Sequence, residues 1–161
     1  MLTLRPATME DAANLLAWRN DPLTRANSIS RDLVSQFEHL QWLQRTLASP
    51  RRRLLIVEHN GTPAATARFD YEELTELNFC IAPEFRCRGL SVKIGKIVVA
   101  AEPKHVSFVL RSNTACQRLL SACGGVLLRD GEIQVWGKGL ELTDLGSKRP
   151  SGVREAAPAY H

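Results

Sequence analysis

A turn with two arginines and one glycine carries the clearest chemistry in this sequence. Residues 81–91, Ile-Ala-Pro-Glu-Phe-Arg-Cys-Arg-Gly-Leu-Ser, join a predicted strand directly to a predicted helix. Such a junction presents unpaired backbone N–H groups and the positive end of a helix dipole to a ligand. Gly89 lets the backbone approach that ligand closely, and Arg86 and Arg88 add positive charge. The segment therefore predicts phosphate binding, and the alternative is a basic loop that only begins a helix.

The charge of the chain is concentrated around this turn. The 161 residues include 21 Lys and Arg against 17 Asp and Glu, a net charge of +4. Between Glu84 and Arg118, seven bases stand against two acids. An anionic partner is therefore expected at this segment, because local charge excess attracts counter-charged ligands.

His39 and Trp42 form a second candidate pair, three residues apart on a predicted helix. Their helix is predicted from an apolar stripe at about 100° per residue, made by Leu33, Val34, Phe37, Leu40, Leu43 and Leu47. On that wheel the pair lies at the flank of the stripe. Spacing alone favours an aromatic residue at the core edge beside a polar ring.

Composition excludes several classes of protein. Hydrophobic residues make up 44% and charged residues 24%, as in ordinary globular domains. We predict one domain over residues 1–143 and a flexible C-terminal tail over 144–161. No run reaches the roughly 20 apolar residues of a membrane span, and no signal-peptide pattern opens the chain. These observations predict a cytoplasmic protein without a membrane partner.

Metal and nucleic acid are also expected to be absent as partners. The cysteines share no Cys-x-x-Cys spacing, and too few histidines accompany them for a zinc site; they are Cys80, Cys87, Cys116 and Cys123. The basic triplet at residues 51–53 has no aromatic platform on which bases would stack.

The remaining patterns predict the elements that position these residues. Asn60-Gly61 between two apolar runs predicts a hairpin with a type I′ turn. Thr8 begins a helix that Asp21-Pro22 ends, and Ser112 is predicted to cap a later helix. The order is β-α-α-β-β-β-α-β-α-β-β, which predicts a mixed α/β or α+β sheet with helices packed on it.

With these elements in place, the sequence resembles the GCN5-related N-acetyltransferases (GNAT). The segment 83–91 is similar to their pyrophosphate-binding signature, Pro-x-x-Arg-x-x-Gly-x-Gly/Ala, and departs from it only at Ser91. Residues 4–11 resemble the first strand and helix entry of the family, and residues 113–124 its later Asn-x-x-Ala…Gly segment. Residues 18–21 and the Glu-His-x-x-Trp at 38–42 resemble the branch with ribosomal-protein and amino-sugar nucleotide acetyltransferases.

The resemblance implies a fold and a cofactor site. The fold is a central mixed, mostly antiparallel sheet with helices on both faces and a V-shaped splay between two parallel strands, here residues 74–81 and 106–110. Acetyl-CoA would bind in that splay, and no metal is implied. The implied cofactor-binding residues are Phe79, Ile81, Arg86, Cys87, Arg88, Gly89, Leu90, Ser91 and Asn113; the implied substrate-binding residues are Trp18, Arg19, His39 and Trp42.

The implied chemistry is direct acetyl transfer to a neutral amine, which requires a proton acceptor at neutral pH. Glu76 is the candidate base, with Asn78 on the same strand face; Glu73 and Asp70 are weaker candidates, and a solvated carboxylate is the alternative for Glu76. Many family members carry a tyrosine general acid where this chain has Leu120. Ser121, Cys116 or water would then protonate the leaving thiolate.

These features together predict an acetyl-CoA-dependent N-acetyltransferase. The expected acceptor is a primary amine on a small molecule, such as an amino-sugar nucleotide. A protein N-terminus of the ribosomal-protein type is the alternative acceptor, and a non-catalytic acyl-CoA-binding domain is the alternative of another class. A homodimer is one possible partner arrangement, and the sequence does not decide the oligomeric state.

Overall fold

The computed structural model describes residues 1–150, which form one seven-stranded sheet and five α-helices. The strands are β1 (Leu2–Pro6), β2 (Arg52–His59), β3 (Thr62–Tyr71), β4 (Thr75–Ile81), β5 (His105–Leu110), β6 (Val126–Arg129) and β7 (Ile133–Lys138). The helices are α1 (Ala12–Asn20), α2 (Pro22–Ala26), α3 (Gln36–Ala48), α4 (Ser91–Ala101) and α5 (Thr114–Ala122). No helix within residues 1–150 has the length and apolar character needed to cross a bilayer.

The strand order places one parallel pair in an otherwise antiparallel sheet. The order is β1-β2-β3-β4-β5-β7-β6, and only β4 and β5 run parallel. Their single registered pair is Glu76 with Val106, and the Ser107 hydroxyl donates to the Leu77 carbonyl at 3.2 Å. Beyond that point β4 continues to Ile81 without further registered pairing to β5 in the described chain. This confirms the predicted fold class and locates the splay at the carboxyl ends of β4 and β5.

Helices cover both faces of the sheet because its strands are apolar on both sides. On one face, Leu54 and Ile56 of β2 pack against Trp18 of α1 and against Trp42 and Leu43 of α3. The other face holds alternate residues of the same strands, which pack against α4; they include Leu55, Val57, Ala67, Phe69 and Leu77, opposite Ile94 and Val98. Because side chains alternate along a strand, the odd-numbered residues of β4 face the core under α4, and the even-numbered residues face the core under α1 and α3.

Two local predictions concern turns. Asn60 and Gly61 have φ values of 50° and 81°, which confirms the predicted hairpin with two left-handed central residues. α1 ends at Asn20, as Asp21-Pro22 predicts. Pro22 also begins the short helix α2, which the sequence did not reveal: Asp21 caps it by accepting from the Thr24 N–H at 3.0 Å.

The predicted apolar face of α3 is wrong. The helix begins at Gln36, so Leu33 and Val34 precede it. Phe37 is 70% exposed, while the buried residues of α3 are His39, Trp42, Leu43 and Thr46. The polar and aromatic residues therefore lie on the buried face of α3, where Trp42 and Leu43 pack with Leu54 and Ile56 of β2 and His39 stacks on Trp42.

The beginning of the predicted tail packs on the sheet. Leu145 is buried with Val106 and Val135, and the Lys148 ammonium lies 2.8 Å from a Glu72 carboxylate oxygen. Leu145 and Lys148, which the sequence assigns to the flexible tail, thus contact the rest of the domain in the described chain. The rest of that segment, 151–161, lies outside the described residues.

Candidate active site

The turn after β4 has the geometry of an anion site. Cys87 and Gly89 have φ values of 57° and 69°, so two left-handed residues flank Arg88, and turns with left-handed residues can form anion-binding concavities from successive backbone N–H groups. No side chain caps the N-terminus of α4, whose N-cap is Leu90. The space beside the Gly89 Cα is open to 4 Å, so a ligand can approach the backbone there. The turn therefore offers an uncapped helix N-terminus to an anion.

Arg88 is the exposed cation of this turn. Its guanidinium carbon lies 5.7 Å from the Phe85 ring centroid, a distance typical of a cation–π contact. Cys87 and Gly89 beside it are also exposed, and Ser91 is half-buried at the first position of α4. The turn thus combines an exposed cation with exposed backbone.

Arg86, a predicted phosphate ligand, is engaged by α2 and by the end of β4 in this structure. Its Nη1 donates to Asp21 at 2.8 Å, its Nη2 to the Thr24 hydroxyl at 2.7 Å, and its Nε to the Ile81 carbonyl at 3.2 Å. Burial works to raise the pKa of Asp21, but hydrogen bonds from Arg86 and the Thr24 N–H hold that pKa below its usual value. Arg86 therefore fastens the turn to α2.

Phe79 and Ile81 lie on the strand segment that borders the splay. Both side chains are half-buried and pack against the core under α4. Their backbone follows the last registered pair with β5, so this edge of β4 is where an extended ligand chain could add hydrogen bonds.

The second helix at the splay, α5, begins at Asn113. The Asn113 side chain caps it by accepting from the Cys116 N–H at 3.2 Å, so the cap is one residue later than the predicted Ser112. Leu120 is 4% exposed and belongs to the packing of α5. Burial raises the pKa of the Cys116 thiol to about 11, which keeps this thiol protonated at neutral pH.

A pocket lies on the opposite side of β4, between the sheet and helices α1 to α3. We call it the tryptophan pocket. It is lined by Leu15, Trp18, Arg19, Thr24, Trp42, Leu54, Thr66, Arg68, Asn78, Phe79 and Cys80. Because Asn78, Phe79 and Cys80 belong to the segment of β4 that borders the splay, the pocket and the splay share one strand.

Three of the four predicted substrate-binding residues line this pocket. Trp18, Arg19 and Trp42 contribute to its wall, and His39 does not. His39 stacks on Trp42 with ring centroids 5.8 Å apart, and its Nε2 lies 2.8 Å from the Ala12 carbonyl oxygen. Burial lowers the pKa of His39, and the hydrogen bond to Ala12 only partly offsets this. His39 is therefore a neutral support for Trp42.

Glu76 precedes the pocket residues Asn78, Phe79 and Cys80 on β4 and therefore lies further from the splay than they do. It is fully buried, and it accepts from the Asn78 amide at 3.3 Å. The Lys148 ammonium lies 3.7 Å from its other carboxylate oxygen. The structure thus brings Glu76 and Asn78 together, as the sequence predicts, and adds a cation from the C-terminal segment that no spacing could reveal. Asn78 lies between Glu76 and the pocket.

Arg68 is a pocket residue that the sequence reasoning missed. Its Nε and Nη2 both donate to Asp70 at 2.9 Å, and Arg52 approaches the same carboxylate at 3.6 Å. Asp70, a weaker candidate base, is therefore engaged in ion pairs. The available signal is an Arg-x-Asp pair on one face of a largely apolar strand, which the register with β4 places opposite Asn78 and Glu76.

Comparison with known proteins identifies the family. Residues 1–126 match the family model described as the acetyltransferase (GNAT) domain. The chain belongs to the GNAT acetyltransferases. The predicted family is therefore confirmed, and with it the class of enzyme. A search of curated protein sequences gave no significant match.

Solved structures share this fold at low sequence identity. Spermidine N-acetyltransferase from Vibrio cholerae, in complex with CoA and spermine, aligns with a TM-score of 0.74 and 17% identity over 90% of this chain and 98% of that chain. An uncharacterized protein from Bacillus halodurans gives 0.74 and 18% over 88% and 84%. The aminoglycoside acetyltransferase AAC(6')-Ib in complex with coenzyme A gives 0.72 and 18% over 90% and 97%.

Proposed function

We propose that this chain binds acetyl-CoA in the splay between β4 and β5 and transfers its acetyl group to a primary amine in the tryptophan pocket. The observation that carries the proposal is the uncapped N-terminus of α4, preceded by left-handed Cys87 and Gly89, at the open end of the splay. The CoA complexes among the structural neighbours support the same choice of cofactor. The pyrophosphate would then lie at the turn after β4, and the thioester would face the tryptophan pocket at the carboxyl end of the same strand.

The pyrophosphate would bind to the backbone of the turn. The N–H groups of Arg88, Gly89 and Ser91 supply donors, with Cys87 and Leu90 beside them, and the Arg88 guanidinium supplies charge. Phe79 and Ile81 would offer strand N–H and C=O groups to the pantetheine arm, and Asn113 would contact the arm from the start of α5. We assign Arg86 a positioning role instead, because three of its five N–H donors are engaged by Asp21, Thr24 and Ile81.

The amine must lose a proton to attack. Its nitrogen forms the new C–N bond, the C–S bond of the thioester breaks, CoA leaves as a thiolate, and the nitrogen releases one proton. We propose Glu76 as the final acceptor of that proton, reached through water beside Asn78. Glu76 accepts from the Asn78 amide of the pocket wall, whereas the other carboxylates that contact pocket residues, Asp21 and Asp70, are held by Arg86 and Arg68. Strand N–H groups near residues 79–81 would stabilise the oxyanion.

Leu120 stands where many family members carry a tyrosine general acid. It is buried, and the Cys116 thiol, with its pKa raised to about 11, is a weak acid. Water is therefore the proposed proton source. The proposal thus includes release of the thiolate without a side-chain acid, and Leu120 is the feature that favours the alternative, an acyl-CoA-binding domain that has lost its chemistry.

The proposed acceptor is a small molecule. The neighbours in complex with spermine and with an aminoglycoside support a small amine in this fold. An amino-sugar nucleotide, as the sequence branch implies, remains the specific hypothesis, and a protein N-terminus is the second. The enclosing helices α1 and α3 favour the small molecule, because they pack on the sheet around the pocket.

Calorimetric titration with CoA tests the cofactor site. Arg88→Glu should weaken CoA binding by roughly tenfold or more, because a charge-assisted contact to phosphate becomes a repulsion. Arg45→Glu, an equal charge change on an exposed residue of α3, is the control and should bind CoA like the wild type. Equal affinity in the wild type and in Arg88→Glu would remove the assignment of the turn to the cofactor.

A further inference from the structure

The ionisable wall of the tryptophan pocket is positive. Arg19 and Arg68 line it, and none of its lining residues, all within the described chain, is Asp or Glu. Its other polar residues are neutral: Thr24, Thr66, Asn78 and Cys80. The carboxylates behind this wall are matched by further cations, because Asp70 contacts Arg52 as well as Arg68, and Glu76 contacts Lys148. The remaining charge at the wall is positive and favours an acceptor that carries a negative group in addition to its amine.

The side chain of Arg68 is fixed by its contacts with Asp70. It lies in the interior strand β3 and is 4% exposed, and its Nε–Nη2 edge grips Asp70 with two bonds of 2.9 Å. The guanidinium is planar and its donors are fixed, so Nη1 is directed away from Asp70. The Arg68 carbon Cζ lies 5.9 Å from the Trp42 ring centroid. Arg68 is thus preorganised beside the aromatic wall, and its orientation requires no ligand.

Arg19 brings a second guanidinium to the same pocket. It lies in α1, is 3% exposed, and donates from Nη2 to the Ser30 carbonyl at 2.9 Å. This contact orients the side chain through a neutral acceptor in the segment between α2 and α3. Trp18, its neighbour in sequence, lines the pocket beside it.

From these contacts we infer that the acceptor is an anionic amine: a primary amine that also carries a carboxylate or a phosphate. The inference rests on the proposed function and deepens it. The negative group would meet Arg68 and Arg19, an apolar or ring-shaped body would pack on Trp18 and Trp42, and the amine would face the splay near Asn78. This chemistry differs from that of spermine, the polycation named with the structural neighbour from Vibrio cholerae.

The same charges assist the reaction. A nearby positive charge disfavours an ammonium and lowers its pKa. An acceptor fixed by its negative end would therefore lose its proton more readily at the amine. Binding and activation of the acceptor would thus depend on the same arginines.

Matched pairs of amines test this inference. We would measure CoA release from acetyl-CoA with an aromatic α-amino acid against its amide, with an amino-sugar phosphate against the free amino sugar, and with spermine. We expect kcat/KM for at least one anionic member to exceed that of its neutral partner by roughly tenfold or more, and spermine to be the poorest acceptor. Which pair shows the difference distinguishes carboxylate from phosphate.

Arg68→Met should remove that preference, whereas Arg45→Met, on an exposed part of α3, should keep it. CoA affinity and melting temperature show whether the Arg68 variant is folded; if it is not, Arg19→Met and the wild-type comparison test the same point. Tryptophan fluorescence during titration with each amine gives the charge preference of binding without turnover. Equal or better binding of the neutral and cationic members overturns the inference.

The two proposals fail differently. Acetylation of amines regardless of charge overturns the anionic acceptor and leaves the acetyltransferase intact. Tight, charge-selective binding of anionic amines with no CoA release overturns the proposed function and leaves the pocket assignment intact.

Discussion

Arg86 and Asp21, 65 residues apart in sequence, form an ion pair of 2.8 Å that joins the turn after β4 to the start of α2. The same guanidinium donates to Thr24, which lines the tryptophan pocket. The proposed cofactor site and the proposed acceptor site are therefore fastened to each other by one side chain. We regard Arg86 as a positioning residue.

Arg86→Met should separate these two roles. It retains much of the side-chain volume but releases Asp21 and Thr24, so we expect the acceptor KM to rise several-fold while CoA affinity stays near the wild-type value. The loss of a partly buried ion pair should also cost about 1–3 kcal/mol in the free energy of unfolding. Steady-state kinetics, CoA calorimetry and denaturant unfolding measure the three quantities. If CoA affinity fell as much as in Arg88→Glu while the acceptor KM stayed unchanged, Arg86 would instead be a phosphate ligand.

Glu76→Gln tests the proposed proton acceptor. The change keeps the shape of the side chain and its contact with Asn78 but removes a base, so kcat should fall by about 100-fold and the pH profile should shift. CoA binding should be nearly unchanged. Glu72→Gln is the matched control, because Glu72 also contacts Lys148 but is exposed and remote from Asn78. An unaltered pH profile in Glu76→Gln would eliminate Glu76 as the base.

His105 should make folding sensitive to acid. It is 2% exposed, and burial, followed by the nearby charge of Lys138, lowers its pKa from 6.5 to about 4, against a smaller opposing effect of Glu102. Between these two pH values the unfolded chain binds more protons than the folded chain, so stability decreases as the pH falls from 6.5 towards 4. The loss between pH 7 and pH 5 should be about 2 kcal/mol.

Denaturant unfolding at both pH values measures this loss. His105→Phe should remove most of the pH dependence attributed to His105, and His59→Gln, at a half-buried histidine at the end of β2, serves as the control. If His105→Phe and the wild type lose the same free energy between pH 7 and pH 5, the buried imidazole is not its source.

Much of the fold was predictable because its signals are local. Asn60-Gly61 forms the turn between β2 and β3, and Pro83 and Gly89 mark the turn before α4. The family resemblance also led to Trp18 and Trp42. In each case a short stretch of chain determines its own conformation.

The sequence does not show contacts that depend on the whole fold. It predicts Arg86 as a phosphate ligand because the spacing fits the signature, whereas in the structure the side chain contacts Asp21, a residue that the signature does not contain. Arg68 and Asp70 stand only two residues apart on β3, but their spacing does not show that both are buried and that Arg68 lines a pocket. Lys148 lies in a segment without periodicity, and only its ion pairs with Glu72 and Glu76 fix its position.

The proposed acetyl transfer is tested most directly by CoA release from acetyl-CoA, measured with anionic, neutral and cationic primary amines and paired with mass detection of the acetylated product. The account predicts amine-dependent release by the wild type, with one acetyl group added per CoA released and with the rate sharply reduced in Arg88→Glu at a subsaturating concentration of acetyl-CoA. CoA binding without release or acetylated product for every class of amine would contradict it.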